Sequence, residues 1–227
     1  MDGNGRWAEH EGQDRIWGHK NGVESVRKVV NTAAKLGVEC LTIYAFSTEN
    51  WGRPQQEVDS IMQLLSYTIL NEVEPLRENG VGMRFMGDID AMPEDLRKSI
   101  GKAEERAPAD ARMTLVIALN YSSRWEITRA MKKIARKIAM GEISPGQIDD
   151  KLVSSNLETH DMPDPELMIR TSGEQRLSNF LLWQLSYSEL YFTEVLWPDF
   201  GGEDLILAIE EYQRRERRFG LTTKEKK

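Results

Sequence analysis

Four short runs of apolar, β-branched and aromatic residues punctuate the chain: 39–46 (ECLTIYAF), 82–86 (GMRFM), 113–120 (MTLVIALN) and 167–170 (LMIR). Their length and composition predict buried strands. A fifth strand is predicted over 191–197 (YFTEVLW). Between these runs, apolar residues recur every three or four positions. Residues 21–36 place Val23, Val26, Val30, Ala33 and Ala34 on one face and stop at Gly37, a favourable helix end. Residues 57–78 carry Val58, Ile61, Met62, Leu65, Ile69 and Val73 at helical spacing. Further helices are predicted over 93–106, 124–139 and 203–219, with a frayed tail at 222–227. Strands alternating with helices imply an α/β fold: a single domain, 1–227, with a mainly parallel central sheet and helices on both faces. No internal repeat or linker interrupts it.

Sheets of this kind bind ligands at the carboxyl ends of their strands. The first strand runs into Ser47, Thr48, Glu49, Asn50, Trp51, Gly52 and Arg53; the third into Tyr121, Ser122, Ser123, Arg124 and Trp125. The fourth runs into Arg170, Thr171, Ser172, Gly173, Glu174, Gln175 and Arg176. One polar, arginine-bearing end is a routine solvated loop. Three on one sheet edge imply a shared site for a multiply charged anion.

Charge narrows that picture. The 227 residues carry a formal net charge of -7, which argues against extended nucleic-acid binding. An anion site must then be a local arginine pocket in an acidic protein. Cys40 is the only cysteine, so neither an intramolecular disulfide nor a cysteine-rich metal site can form. No apolar run approaches the roughly 20 residues of a membrane span, and no leader pattern is visible. The expected location is cytoplasmic, with peripheral membrane contact left open.

The opening Asp2-Gly3-Asn4-Gly5-Arg6 puts small residues where a backbone could approach phosphate closely. Asp2 is suited to Mg²⁺, which binds hard carboxylate oxygens together with substrate phosphates. A glycine turn with a surface acid is the alternative. Arg15 and His19, four apart, share a helix face and could both donate to a diphosphate; a solvated face is the rival reading. Arg170, Arg176 and Ser178 form a second basic group, against which stands a salt bridge to Glu174. Glu189, in SELYF, is either a paired core acid or a metal ligand. His10 and His160 read as surface residues. The run Arg214, Arg215, Glu216, Arg217, Arg218 suits a helix C-terminus and needs no ligand. Trp7 and Trp51 are either packing residues or walls that exclude water from a reacting centre.

The segments MDGNGRWA, GHKNG, YAFSTENWGRP, NYSSRWEI, RTSGEQRLSNFLLWQLSYSELYFTEVLWPDF and RRERRFG follow one another in order. Over nearly its whole length the chain resembles the cis-prenyltransferase family, and its bacterial undecaprenyl diphosphate synthases in particular. The resemblance implies a Mg²⁺-dependent transferase that extends farnesyl diphosphate by repeated addition of isopentenyl diphosphate, each new double bond being cis. The C55 product would serve as a cell-wall carrier lipid. The resemblance places the primer's diphosphate on Gly3, Asn4, Gly5 and Arg6, with Trp7, Arg15 and His19 nearby. It places isopentenyl diphosphate on Arg170, Arg176, Leu177 and Ser178. Asp2 would organise Mg²⁺ and assist loss of the diphosphate, and Glu189 matches a metal position. Asn50, with Ser47, would help remove a proton. Thr48, Glu49, Trp51 and Arg53 belong to a loop that closes over the substrates. An apolar tunnel, homodimers joined through 180–197, and a product length set near Ala45, Leu65, Ile69 and Met113 are also implied.

Three departures stand against that pattern. Gln175 replaces a frequent histidine and cannot act as an imidazole ligand. Ser122-Ser123 stands where glycines are common. Relatives carry a strand before the Asp2 motif, so a first strand is expected upstream of Met1, and without it Asp2 would be loosely held. The Asp-Asp-x-x-Asp box of the all-helical prenyl synthases is missing, since Lys-Leu-Val follows Asp149-Asp150. Two other functions compete: a non-catalytic subunit of an active partner, and a Mg²⁺-dependent phosphohydrolase. The latter generally wants a second acid where Asn4 stands.

Overall fold

The computed structural model describes residues 1–108 and 110–216. Two helices open the chain, α1 (Asn4–His10) and α2 (Arg15–Leu36). There follow β1 (Cys40–Ser47), α3 (Gln55–Glu78), β2 (Val81–Met86), α4 (Glu94–Glu105), β3 (Met113–Tyr121) and α5 (Ser123–Ala139). The rest is α6 (Asp150–Ser154), β4 (Leu167–Arg170), β5 (Glu189–Phe192) and α7 (Gly202–Arg214). All strand pairings are parallel, as the alternation implied, but they form two ladders. β3 lies between β1 and β2 in one, and β4 pairs with β5 in the other.

β3 is apolar on both faces because both are covered. Leu115, Ile117 and Leu119 join a core with Val30, Val58 and Leu96 from α2, α3 and α4. Val116, Ala118 and Tyr121 join a second core with Met168, Leu181 and Leu185. Gly37 ends α2 with φ +79°, the left-handed stop its position predicted.

Three boundaries differ from expectation. α2 begins at Arg15 rather than at 21. Gly18 sits inside it because a Cβ there would fall 1.9 Å from the Asn4 carbonyl oxygen; the glycine lets α1 lie directly against α2. The fifth strand covers 189–192, not 191–197. Beyond Phe192 the chain leaves the ladder but still hydrogen-bonds: Thr193 N–H to the Arg170 carbonyl, Ser172 N–H to that of Val195, and Trp197 N–H to that of Asp2. α7 ends at Arg214. The remainder of the predicted 203–219 helix from 217 onward, Arg217, Arg218 and the 222–227 tail lie outside the described residues.

Candidate active site

Asp2 is held from several sides. Thr171 Oγ1 accepts the Asp2 N–H at 2.9 Å and donates to the Asp2 carbonyl at 2.8 Å. Trp197 N–H reaches the same carbonyl at 3.0 Å. The Asp2 carboxylate accepts the Gly3 N–H at 2.8 Å and Arg170 Nη2 at 2.9 Å. Burial alone would raise this carboxyl's pKa, but the Arg170 hydrogen bond and charge outweigh it and hold the group below the usual range. Gly3, at φ +104°, is required here, since a Cβ would meet Leu196 Cδ2 at 2.8 Å.

The loop after β4 folds back on this pair. Arg170 Nη1 donates to Ser178 Oγ at 2.8 Å and to the Arg176 carbonyl. Ser172, Ser178, Asn179 and Leu181 all have φ between 45° and 79°, backbone strain of the kind that collects at functional sites. Arg6 donates to the Ser172 carbonyl at 3.1 Å and its Oγ at 2.6 Å, and faces Glu174 at 3.5 Å. Arg176 also pairs with Glu174. The salt-bridge alternative therefore describes Arg176 and Arg6, whereas Arg170 serves Asp2.

A second group gathers on Glu57 at the start of α3. Its carboxylate, 12% exposed, takes Arg15 Nε at 3.3 Å, Arg53 Nη1 at 3.1 Å and His19 Nε2 at 3.6 Å. His19 Nε2 is buried without a hydrogen bond. Burial, then the Arg53 charge, lower the His19 pKa despite the pull of Glu57, so the imidazole is neutral at pH 7. Between the two groups, Asn50 Oδ1 accepts the Ser47 N–H at 3.0 Å, and Glu49 accepts Asn179 Nδ2 at 2.8 Å.

Both groups open onto one cavity of about 870 Å³. Asp2, Arg6, Arg15, His19, Arg170 and Arg176 line its polar rim. Val30, Ile61, Ile69, Met83, Leu115 and Ile117 line its apolar depth.

Comparison with known proteins decides what this arrangement belongs to. The family described as "Putative undecaprenyl diphosphate synthase" matches residues 1–220. The chain belongs to this family. An isoprenyl transferase of Porphyromonas gingivalis is 49% identical over 225 residues, covering 99% of this chain and 89% of its own. The ditrans,polycis-undecaprenyl-diphosphate synthase of Escherichia coli, named as specific for (2E,6E)-farnesyl diphosphate, is 46% identical over 98% of this chain and 88% of its own. A crystal structure of lavandulyl diphosphate synthase from Lavandula x intermedia with dimethylallyl diphosphate has a TM-score of 0.94 at 37% identity, covering 97% of this chain and 95% of that one.

Within the family's expected site, four residues fall outside the cavity lining. Trp7 stacks on Trp17 with ring centroids 4.5 Å apart and donates to Asp199 at 2.8 Å, so it packs α1 on α2. Trp51 packs edge-on to Phe46 and donates to Asn120 Oδ1 at 2.8 Å. Thr48 donates to Glu49 at 3.2 Å. Glu189 lies apart from this lining. It begins β5 opposite Leu167, whereas Arg170, the partner of Asp2, lies opposite Phe192. That is about 10 Å away at roughly 3.3 Å per residue. Its carboxylate pairs with Arg215 at 3.1 Å, which is the paired-acid reading.

Asp2 suits Mg²⁺ as a donor. It is a hard, half-exposed carboxylate on the cavity with lone pairs beyond its two hydrogen bonds. Among the described residues no cluster of three His, Cys, Asp or Glu could hold an ion alone, so substrate oxygens would complete the shell. Sequence reasoning missed Glu57, whose place in a helical first turn reads as a dipole partner; Arg53, four residues earlier, was its one signal.

Proposed function

We propose that this chain is a cis-prenyltransferase that condenses isopentenyl diphosphate onto an allylic diphosphate, farnesyl diphosphate, and repeats the step to undecaprenyl diphosphate. Residues 1–227 form its one domain. The observation that carries this reading is a single cavity whose rim gathers Asp2 and arginines and whose depth is apolar. A diphosphate head fits the first and a prenyl tail the second.

Arg6 and the first-turn N–H groups of Asn4 and Gly5, which have no intrahelical partner, would hold the primer's diphosphate. Arg15, His19 and Arg53 would turn to it from Glu57. Arg170, Arg176 and Ser178 would hold isopentenyl diphosphate, with Leu177 against its carbons. In the reaction the bond from the primer's C1 to oxygen breaks and its electron pair leaves with diphosphate. The double bond of isopentenyl diphosphate joins C1, and a proton is lost. Fixed guanidinium groups stabilise the departing charge without reorganising. Mg²⁺, held by Asp2 and phosphate oxygens, would neutralise the leaving group. Asn50 and Ser47, which line the cavity, would help remove the proton. Holding two anions in register also removes several kcal/mol of barrier, up to roughly 7–11.

Among the described residues no helix is long and apolar enough to cross a membrane. A cytoplasmic enzyme with peripheral membrane contact, paired as a homodimer through 180–197, fits the exposed Leu182 and Tyr187. Incubation with farnesyl diphosphate, radiolabelled isopentenyl diphosphate and Mg²⁺ tests the reading. Long lipid product supports it. No turnover points to a non-catalytic subunit, and free phosphate without chain growth to a phosphohydrolase.

A further inference from the structure

The cavity wall shared by α2 and α3 is fastened by charge at two depths. At the rim, Glu57 of α3 pairs with Arg15 of α2 and lies 3.6 Å from the neutral His19. Fifteen residues further along α3, about 22 Å at 1.5 Å per residue, Glu72 accepts Arg27 Nε at 3.0 Å and also Arg27 Nη2. Glu24, one turn before Arg27, holds the same guanidinium. Between these fastenings the cavity-lining side chains are mostly apolar, Val23 and Val26 on α2 and Leu65 and Ile69 on α3, with Thr68 the polar exception. Apolar contact is non-directional and lets helices slide or separate; an ion pair between fixed partners does not. Glu72 is 15% exposed and Arg27 44%, and both line the cavity, so a mostly buried carboxylate holds a half-exposed guanidinium across a largely apolar wall.

We propose that the Arg27–Glu72 pair is a specificity-determining latch that closes the α2–α3 seam at depth and so fixes the length at which the growing prenyl chain stops. The proposal rests on the elongation reading above. The two fastenings differ in what competes for them. A diphosphate at the rim claims Arg15 and His19 and loosens the first. No phosphate oxygen reaches the second, which remains tied throughout elongation. The chain grows inward from the rim and meets this tie only after several additions to the primer. The next unit must then push α2 and α3 apart against this ion pair. Loss of the tie lowers that barrier, and the chain runs longer.

The test uses the full chain with Arg27→Met, Glu72→Gln and the charge-retaining Arg27→Lys. Product ladders are made from farnesyl diphosphate and radiolabelled isopentenyl diphosphate. The rate of the first condensation and the uptake of the apolar dye 1-anilinonaphthalene-8-sulfonate are read separately. In Arg27→Met and Glu72→Gln the ladder shifts upward by one or more five-carbon units and dye uptake rises. The first condensation stays within about twofold of wild type, and Arg27→Lys keeps the wild-type ladder. Unchanged ladders in both neutral variants would overturn the latch, as would a shift in Arg27→Lys equal to that in Arg27→Met. Wild-type protein that binds the dye yet forms no prenyl product would instead overturn the elongation reading, and the length-setting role with it.

Discussion

Around Asp2 and Arg170 the polar side chains are tied to main-chain groups: Gly3 N–H, the Arg176 carbonyl, and a Thr171 hydroxyl that bridges both sides of the Asp2 peptide. Around Glu57 the partners are three long side chains, Arg15, His19 and Arg53. Both groups sit on the same rim, yet they differ in what holding a substrate would disturb. Groups anchored to the main chain keep their positions when a ligand arrives, which is what electrostatic preorganisation needs. Side chains sharing one carboxylate can exchange it for a phosphate oxygen with little backbone change. A reaction that binds a fresh diphosphate and expels another at every cycle needs a fixed half, where charge develops, and an exchangeable half, where anions come and go.

The largest effect should follow from breaking the fixed half. Asp2→Asn keeps the shape and the main-chain bonds to Thr171 and Trp197 but removes the charge that faces Arg170. Incorporation of radiolabelled isopentenyl diphosphate should fall about 10²–10³-fold, the scale for losing one preorganised group at a reacting centre. The melting temperature should stay within a few degrees of wild type. Unfolding in place of simple inactivity would show that the carboxylate, rather than the main-chain bonds, holds this end of the chain.

A smaller and qualitatively different effect is expected in the exchangeable half. Glu57→Gln removes a mostly buried carboxylate from Arg53 and from Arg15, which keeps Glu9 at 2.9 Å, beside the neutral His19. The cost, about 1–3 kcal/mol for an uncompensated polar group, corresponds to a melting temperature lower by several degrees in a chain of this size. Added farnesyl diphosphate, by supplying the missing negative charge, should raise the variant's melting temperature by more than it raises that of wild type. Equal ligand-induced shifts in the two proteins would mean that the arginines do not change partners, and the contrast between the halves would fail.

The strands and helices of this chain were legible where one face was apolar. β1 to β4, α3 and α5 fall within two residues of the elements that periodicity predicts, because burial alone dictates those patterns. α1 and the first turns of α2 were not legible. The predicted helix started only at 21, past Gly18, yet Gly18 and Gly22 are what let Asn4 approach, a Cβ at 22 being 2.4 Å from Asn4 Oδ1. The segment 193–197 read as strand because it continues the β-branched and aromatic run of 191–192 into Val195, Leu196 and Trp197; its hydrogen bonds go instead to the bent arginine loop and to Asp2. The fixed half of the rim was visible in the sequence as motifs at strand ends. The exchangeable half was only half visible: Arg15, His19 and Arg53 stood out as cations, whereas the carboxylate that collects them lies 42 residues beyond Arg15 and converges on them only in the fold. Glu189, singled out for its chemistry, begins β5 three residues before the position opposite Arg170.

The finest probe of the comparison is pH, because His19 belongs to the exchangeable half and is neutral there. Its pKa in the folded chain lies below the ordinary 6.5, through burial first and the Arg53 charge second. The unfolded chain therefore takes up the proton at a higher pH than the folded one does. Stability from this group is complete above about 6.5 and declines as pH falls below it. Melting temperatures of wild type and His19→Gln should differ by a constant amount at pH 7 and above. They should converge as the pH drops toward about 5.5, since only the wild type has an imidazole to charge between Arg15 and Arg53. Saturation with a diphosphate should flatten the wild-type curve, because an added anion beside His19 favours the charged imidazole and lifts its pKa back toward 6.5. A wild-type curve that stays steep with ligand bound would place the diphosphate away from His19 and confine substrate binding to the Asp2 side of the rim.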